Sequence, residues 1–357
     1  MAFFKFPPPP PFSEELQDKI ALAQTCFVPC DLGAITLANR LVLAPMAGYT
    51  SVGWRQLMTD LGAALTTSEL ISANAVHYRN VKTMQMITLC GPRDGIQIFG
   101  RDPALLAAAA QEASQQGAAF VELNLGCPVR KVAAQQAGAM LMAYPALVQE
   151  ILAAITAATD KPVGIKLRTG IDQEHRNAPQ IIDLAAQAHL SWATVHGRTK
   201  AQGYQGHADW PFIETCAAQA KIPVIGNGDL TTPQQIAQRL QSSACAALMI
   251  GRAALQRPFI FLEGSAMAAH PAQPLNFTGL DYAEIWRRLG FYVAIEQEGQ
   301  AVRQEILLRK YLMELAAGFP GAASLRQRLG ATPHTATEVL RLGESYFTQL
   351  GSLCRRP

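Results

Sequence analysis

No stretch of this 357-residue chain holds the run of about 20 apolar residues that crosses a bilayer. The opening MAFFKFPPPPPF also lacks the apolar core and small-residue cleavage site of a secretory signal. A cytoplasmic protein with no membrane partner is therefore expected. Charged residues are sparse, at 16% against 49% hydrophobic, which excludes a disordered polyelectrolyte and predicts a well-buried globular fold. The net charge of +3 permits a nucleic-acid partner without demanding one. Cysteines number seven, odd and scattered, so no disulfide framework is expected. Cys26 and Cys30 form the one close pair. With no second pair or histidine at finger-like spacing, they read as two ordinary thiols. No HExxH occurs, and no metal site is expected. A G-x-G-x-x-G turn is missing too. The first apolar run ends in Ala44-Pro45-Met46-Ala47-Gly48, which disfavours a doubly wound dinucleotide fold.

One pattern recurs eight times: a short apolar run ending in Gly, Asn, Arg or Pro, followed by an Ala/Leu/Gln-rich helical stretch. The runs cover 41–48, 64–70, 96–100, 120–128, 163–170, 193–199, 222–229 and 247–254. Short strands, apolar on both faces and alternating with helices, are parallel β/α units. Eight of them in sequence predict a (β/α)8 TIM barrel. Beyond about residue 270 the strands stop, and 281–316 and 324–350 read as amphipathic helices of a small all-helical C-terminal domain. Its arginines and lysine (Arg287, Arg288, Arg303, Arg309 and Lys310 among them) are by composition an ordinary solvated face. The five consecutive prolines from Pro7 predict a stiff extended tail off the core.

A barrel of this kind carries its active site at the carboxyl ends of the strands. Gln97, Asn124, Lys166, His196, Asn227 and Arg252 all fall there. One polar residue at a strand end is ordinarily a cap, whereas six on one rim make a site. The last two strands end in Gly226-Asn227-Gly228-Asp229 and Gly251-Arg252, the usual place for a phosphate in barrels. Lys166 is expensive to bury unless it meets an anion or an electron-rich ring; it suits a Schiff base or the negative pyrimidine ring of a reduced flavin. The Gln97 amide, donor and acceptor together, suits the edge of an isoalloxazine. Cys127, between Gly126 and Pro128, sits on a loop. An unperturbed thiol keeps its proton at neutral pH, which suits a general acid, while a nucleophile would need activation and a buried core cysteine needs neither. Arg130-Lys131 is a weak dibasic phosphate contact. His196 reads equally as a base, a phosphate donor or a structural residue.

In order, LAPMAGYTS, TSE, QIFG, ELNLGCPVRKV, AGAMLM, KLRTG, HGRT, GNGD and MIGRA make the sequence resemble the tRNA-dihydrouridine synthase family, on its bacterial B-type side. The proline-rich start and Ala133, where the family often has Asn, depart from that pattern. The resemblance implies FMN at the barrel mouth, NADPH as reductant and a uridine of the tRNA D-loop as substrate, in a monomer. Pro45, Met46 and Ala47 would line the flavin. Gln97, Asn124 and Lys166 would meet its ring, and His196, Asn227, Gly228, Asp229, Gly251 and Arg252 its phosphate. Cys127 would protonate C5 while flavin N5 delivers hydride to C6. Asn124, Arg130, Lys131 and Arg198 would contact the substrate. The chain would divide into an N-terminal extension (1–30), an FMN-binding catalytic barrel (31–268) and a helical tRNA-recognition domain (269–357). Three other readings compete: a flavin oxidoreductase for free pyrimidines of the dihydroorotate type, a catalytically dead tRNA-binding module, and a Lys166 aldolase.

Overall fold

The computed structural model describes residues 4, 6–331 and 333–355, with the side chain of Lys131 outside the description. Eight parallel strands form one sheet: β3 (Leu41–Leu43), β4 (Thr66–Ser72), β5 (Asp94–Phe99), β6 (Val121–Leu125), β7 (Val163–Arg168), β8 (Trp192–His196), β9 (Val224–Asn227) and β10 (Ala247–Ile250). Every expected apolar run overlaps one of them. The sheet runs β3-β10-β9-β8-β7-β6-β5-β4. Its two ends meet where Ala64 N donates to Leu41 O at 2.8 Å and Leu43 N to Leu65 O at 2.9 Å. Those bonds close the barrel, leaving no open edge to protect.

The strands are buried on both faces because helices cover the outside and side chains fill the inside. Inside, Phe120 and Trp192 pack edge to face at 5.1 Å and form one buried cluster with Val42, Ile225 and Met249. The antiparallel pair β1 (Cys30–Leu32) and β2 (Ile35–Leu37) adds Leu32 and Leu37 to that cluster. The helices start as their sequence signals require. Asp102 and Asp209 cap the helices Pro103–Gln115 and Trp210–Gln219, and Thr232 forms a capping box with Gln235 for Pro233–Ser242. Each satisfies first-turn N–H donors that have no partner inside the helix.

Four helices follow the barrel: Gly279–Glu296, Ala301–Leu315, Ala322–Ala331 and Ala336–Leu350. They share one continuous apolar cluster with the barrel's outer layer. Glu296 caps the barrel helix Val52–Asp60 through Ser51 Oγ and the N–H groups of Val52 and Gly53. Trp54 stacks on Tyr311 at 4.8 Å. The proline run was expected to stay off the core, and Pro7, Pro8, Pro10 and Pro11 are exposed, but the tail that carries them is not detached. The prolines themselves pair with nothing in a sheet, but the aromatic residues flanking them dock. Phe6 packs on Tyr292 at 4.6 Å, Phe12 is buried, and Arg288 lies 3.3 Å over the Phe12 ring. The helix Glu14–Gln24, not recognised from the sequence, then buries Leu16 and Ile20 and holds the last four helices through Lys19–Asp281 at 2.9 Å. Cys26 and Cys30 are free. Among the described residues no helix is long and apolar enough to cross a membrane.

Candidate active site

The carboxyl ends of the strands open onto a cavity of about 470 Å³, within the roughly 300–1,000 Å³ of small-molecule sites. Each strand contributes a lining residue from its end or just past it: Ala44, Leu70, Gln97, Asn124, Lys166, His196, Asn227 and Met249. Strand periodicity explains the choice. Residues two apart share a face, so the inward positions near each carboxyl end share one mouth.

One wall is a chain of amides. Gly126 N and Cys127 N both donate to Asn124 Oδ1, at 3.1 and 2.9 Å. Asn124 Nδ2 donates to Gln97 Oε1 at 2.9 Å, and Gln97 Nε2 to Glu122 at 2.6 Å. On the next strand, beside Asn124, Lys166 Nζ donates to Asn227 Oδ1 at 3.1 Å, and Asn227 Nδ2 to Met249 O at 2.7 Å. Burial pulls the Lys166 ammonium down to about 8; Glu122 works against that shift and Arg168 with it. It remains largely charged at neutral pH.

The far end is built for an anion. The N–H groups of Gly228, Asp229, Gly251 and Arg252 have no acceptor among the described residues. Gly228 sits at φ +131°, where a Cβ would come within 2.6 Å of Ala208 and 3.3 Å of the His196 ring. Burial first, then Lys166, Arg168, Arg198 and Arg252, push His196 down to about 2, so the imidazole is neutral. Beyond burial, four cationic side chains act on that imidazole, and the positive charge they bring to this end suits a phosphate. Pro45, Met46 and Ala47 supply an opposing wall with little charge.

Cys127 lines the cavity beside Gly126 and Pro128 and is a free thiol. Its loop is held from three sides. Asn124 takes its N–H, Ala139 N donates to its carbonyl at 3.2 Å, and Arg168 Nε donates to Gly126 O at 2.7 Å. Gly138, at φ +60°, leans on this loop: a Cβ there would meet Cys127 O and Val132 Cγ1 at 2.9 Å. Gly138→Ala is expected to destabilise the fold by about 1–3 kcal/mol through left-handed strain alone. An unchanged urea midpoint would contradict that account.

Some expected site residues are placed elsewhere. Arg198 does not line the cavity; it is 3% exposed, and its guanidinium is occupied by Asp229, at 2.9 Å to each oxygen, and by the carbonyls of Gln205 and Gly206. It steadies Asp229, whose expected role at a phosphate changes accordingly. Burial alone would raise that carboxyl, yet Ala208 N–H and Arg198 hold it below its usual range, so its side chain is spoken for and only its backbone is free for an anion. Arg130 is exposed on the short helix Arg130–Ala133 beyond the cavity lining, and the Lys131 side chain lies outside the described residues.

The sequence reading missed Glu122, Arg168 and Tyr204. Glu122 had a signal, being two positions before Asn124 on the same strand face. Arg168 had one too, two positions after Lys166. Tyr204 had none. It belongs to a loop and lies under two guanidiniums, Arg252 at 4.9 Å and Arg168 at 5.7 Å.

Residues 42–349 match the family described as Dihydrouridine synthase (Dus). The tRNA-dihydrouridine synthase B of Pseudomonas aeruginosa is 37% identical over 315 residues, covering 85% of this chain and 92% of its own. The protein of that name from Shewanella oneidensis is 42% identical over 234 residues, covering 65% of this chain and 73% of its own. Among solved structures, histamine dehydrogenase from Rhizobium sp. 4-9 has a TM-score of 0.56 at 10% identity. The match covers 93% of this chain and 65% of that longer protein, and it is a likeness of fold alone. Since the family match begins within β3, takes in the whole cavity and ends in the last helix, the chain belongs to the dihydrouridine synthase family.

Proposed function

We propose that this protein is a cytoplasmic, monomeric tRNA-dihydrouridine synthase that binds FMN and uses NADPH to reduce the C5–C6 bond of a D-loop uridine. The observation that carries the reading is the meeting, in one cavity of a dihydrouridine synthase chain, of a free thiol, a half-buried ammonium and an anion-accepting end. When bound, the flavin supplies a hydride to C6 of the uracil ring from its N5. The residues present fit such a group. Gln97, Asn124 and Lys166 offer donors for a polar ring edge. Pro45, Met46 and Ala47 offer a flat, uncharged flank. Arg252, neutral His196, Asn227 and the backbone of Gly228, Asp229 and Gly251 offer a phosphate seat.

Cys127 holds the proton destined for C5, on a loop whose backbone Asn124 keeps in place. Delivery of a base to that thiol requires the nucleotide to leave its stack, at a cost of about a few kcal/mol. Backbone contacts to phosphates offset that cost and should weaken with salt. Among the basic residues of the last four helices, Arg287, Arg303, Arg326, Arg328 and Arg341 are exposed and available for this, together with Arg130. Arg288 and Lys310 are turned inward, onto Phe12 and Tyr49. In this reading the barrel (31–268) carries the chemistry, the region 269–357 orients the RNA, and Phe6, Phe12 and the helix Glu14–Gln24 of the N-terminal extension (1–30) bind the two together.

The test is direct. Purified protein should release FMN on denaturation, and with NADPH it should form dihydrouridine in unmodified tRNA, mapped by mass spectrometry. Absence of any flavin, or equal turnover of free uracil and tRNA, would overturn the proposal; the second result would favour a free-pyrimidine reductase.

A further inference from the structure

Glu122 lies inside the barrel at 1% exposure and does not itself line the cavity. A carboxylate out of reach of water is strongly unfavourable unless its charge is met and its oxygens are hydrogen-bonded. Glu122 stands on β6 opposite Gln97 of β5, two residues before Asn124, which stands opposite Lys166 of β7. Its carboxylate accepts from Gln97 Nε2 at 2.6 Å and also faces the side chains of Trp192 and Thr194.

We propose that Glu122 is a positioning residue: its carboxylate fixes the direction in which Gln97 presents its amide to the cavity, and it holds the charge of Lys166. One buried group thereby sets two of the contacts offered to a flavin ring. The proposal rests on the flavin reading only for what the cavity holds.

The direction follows from donor and acceptor chemistry. Two backbone N–H groups point at Asn124 Oδ1, so Asn124 Nδ2 must face Gln97. Gln97 must answer with its oxygen, which leaves its Nε2 facing Glu122. A turned Gln97 amide would set oxygen against carboxylate at one end and NH2 against NH2 at the other. The chain is polarised from both ends, and Glu122 is the acceptor terminus. The charged or titratable groups facing Lys166 are Glu122, Arg168, Cys127 and His196. Glu122 is the one carboxylate among them; burial raises it, Lys166 is the first group working against that shift, and Arg168 acts on Lys166 in the opposite sense to Glu122.

Two variants separate these duties. Glu122→Gln keeps an acceptor for Gln97 but removes the charge. Glu122→Met keeps the bulk and removes both. In the full chain stripped of its bound FMN, the pH dependence of Lys166 acetylation by acetic anhydride, read by peptide mass spectrometry, gives the proton equilibrium of that amine. Its midpoint in the unmodified protein is expected near 8. In Glu122→Gln it should fall by about one pH unit, tenfold in the proton equilibrium. FMN titrations then read the second duty. At pH 6.5 Glu122→Gln should bind near the parent level, and Glu122→Met about tenfold more weakly, because Gln97 has lost its anchor. An unmoved Lys166 midpoint in Glu122→Gln refutes the proposal, as does equal FMN affinity of the two variants. If the parent protein itself binds no FMN, the flavin reading fails while the acetylation midpoint still decides the role of Glu122. If Glu122→Met does not fold, the midpoint in Glu122→Gln decides alone.

Discussion

Replacing Cys127 by alanine is expected to lower dihydrouridine formation by about 10²–10⁴-fold, the usual contribution of a positioned general acid, while FMN and tRNA binding stay near the parent level. The separation of the two effects is the informative part. Cys127 contributes little to the walls that would hold a flavin; the amide chain runs through its backbone N–H, which alanine retains. Neither is the thiol a keystone of packing, since it is partly exposed and faces the cavity. Its loop is fixed by Asn124, Ala139 and Arg168, all of which act on main-chain atoms of Gly126 and Cys127. Only the proton is removed. Single-turnover rates with NADPH-reduced enzyme, measured beside FMN and tRNA affinities, decide the matter. Parent-like turnover in Cys127→Ala would remove the thiol from the mechanism, and a loss of rate that tracks a loss of flavin would recast it as structural.

Much of this architecture could be read before any coordinates, and the reasons are physical. A parallel strand buried on both faces advertises itself as an apolar run. The polar residue that ends it advertises the mouth of a barrel, so Gln97, Asn124, Lys166, His196 and Asn227 were found together. What escaped depends on partners distant in sequence. Arg198 looks like a substrate contact in His196-Gly197-Arg198-Thr199, and only the folded chain brings Asp229 to neutralise it. Glu122 shares a strand face with Asn124, two positions on, but its role shows only when Gln97, its partner on the next strand, is considered with it. The proline run was dismissed from composition, although the function of Phe6 and Phe12 depends on Tyr292 and Arg288, some 280 positions away. In the same way, Arg288 and Lys310 look by composition like part of a solvated face, yet aromatic rings near the barrel receive them.

A long-range partnership also underlies the largest expected loss of stability. Asp94→Ala should destabilise the protein by about 3–5 kcal/mol, the range for breaking a buried ion pair from one side. Asp94 opens β5 and is fully buried, and Arg55 on the helix Val52–Asp60 is 2% exposed. Arg55 Nε donates to both Asp94 oxygens at 3.0 Å, and Nη2 lies 2.9 Å from one of them. The same carboxylate accepts from Thr66 Oγ1 at 2.8 Å and Cys90 N at 2.9 Å. Burial would favour loss of the Arg55 proton, but Asp94 more than compensates and holds the guanidinium above its ordinary range. Without Asp94 a permanently charged guanidinium stays in the core unmatched. The double change Arg55→Met, Asp94→Leu should therefore lose less than Asp94→Ala alone, since it removes the stranded charge as well. The effect should reach the cavity. Arg55 Nη1 donates to Thr50 O at 2.7 Å, and Thr50 Oγ1 accepts from Met46 N at 3.1 Å. Loosening Arg55 thus loosens the segment that carries Pro45, Met46 and Ala47 along the cavity wall. Urea unfolding followed with and without saturating FMN should show a deficit for Asp94→Ala in both conditions, and weaker FMN binding though Asp94 does not line the cavity. If Asp94→Ala matched the parent in urea midpoint, or the double variant were the less stable of the two, the ion pair would not be the clamp between helix and barrel that its geometry indicates.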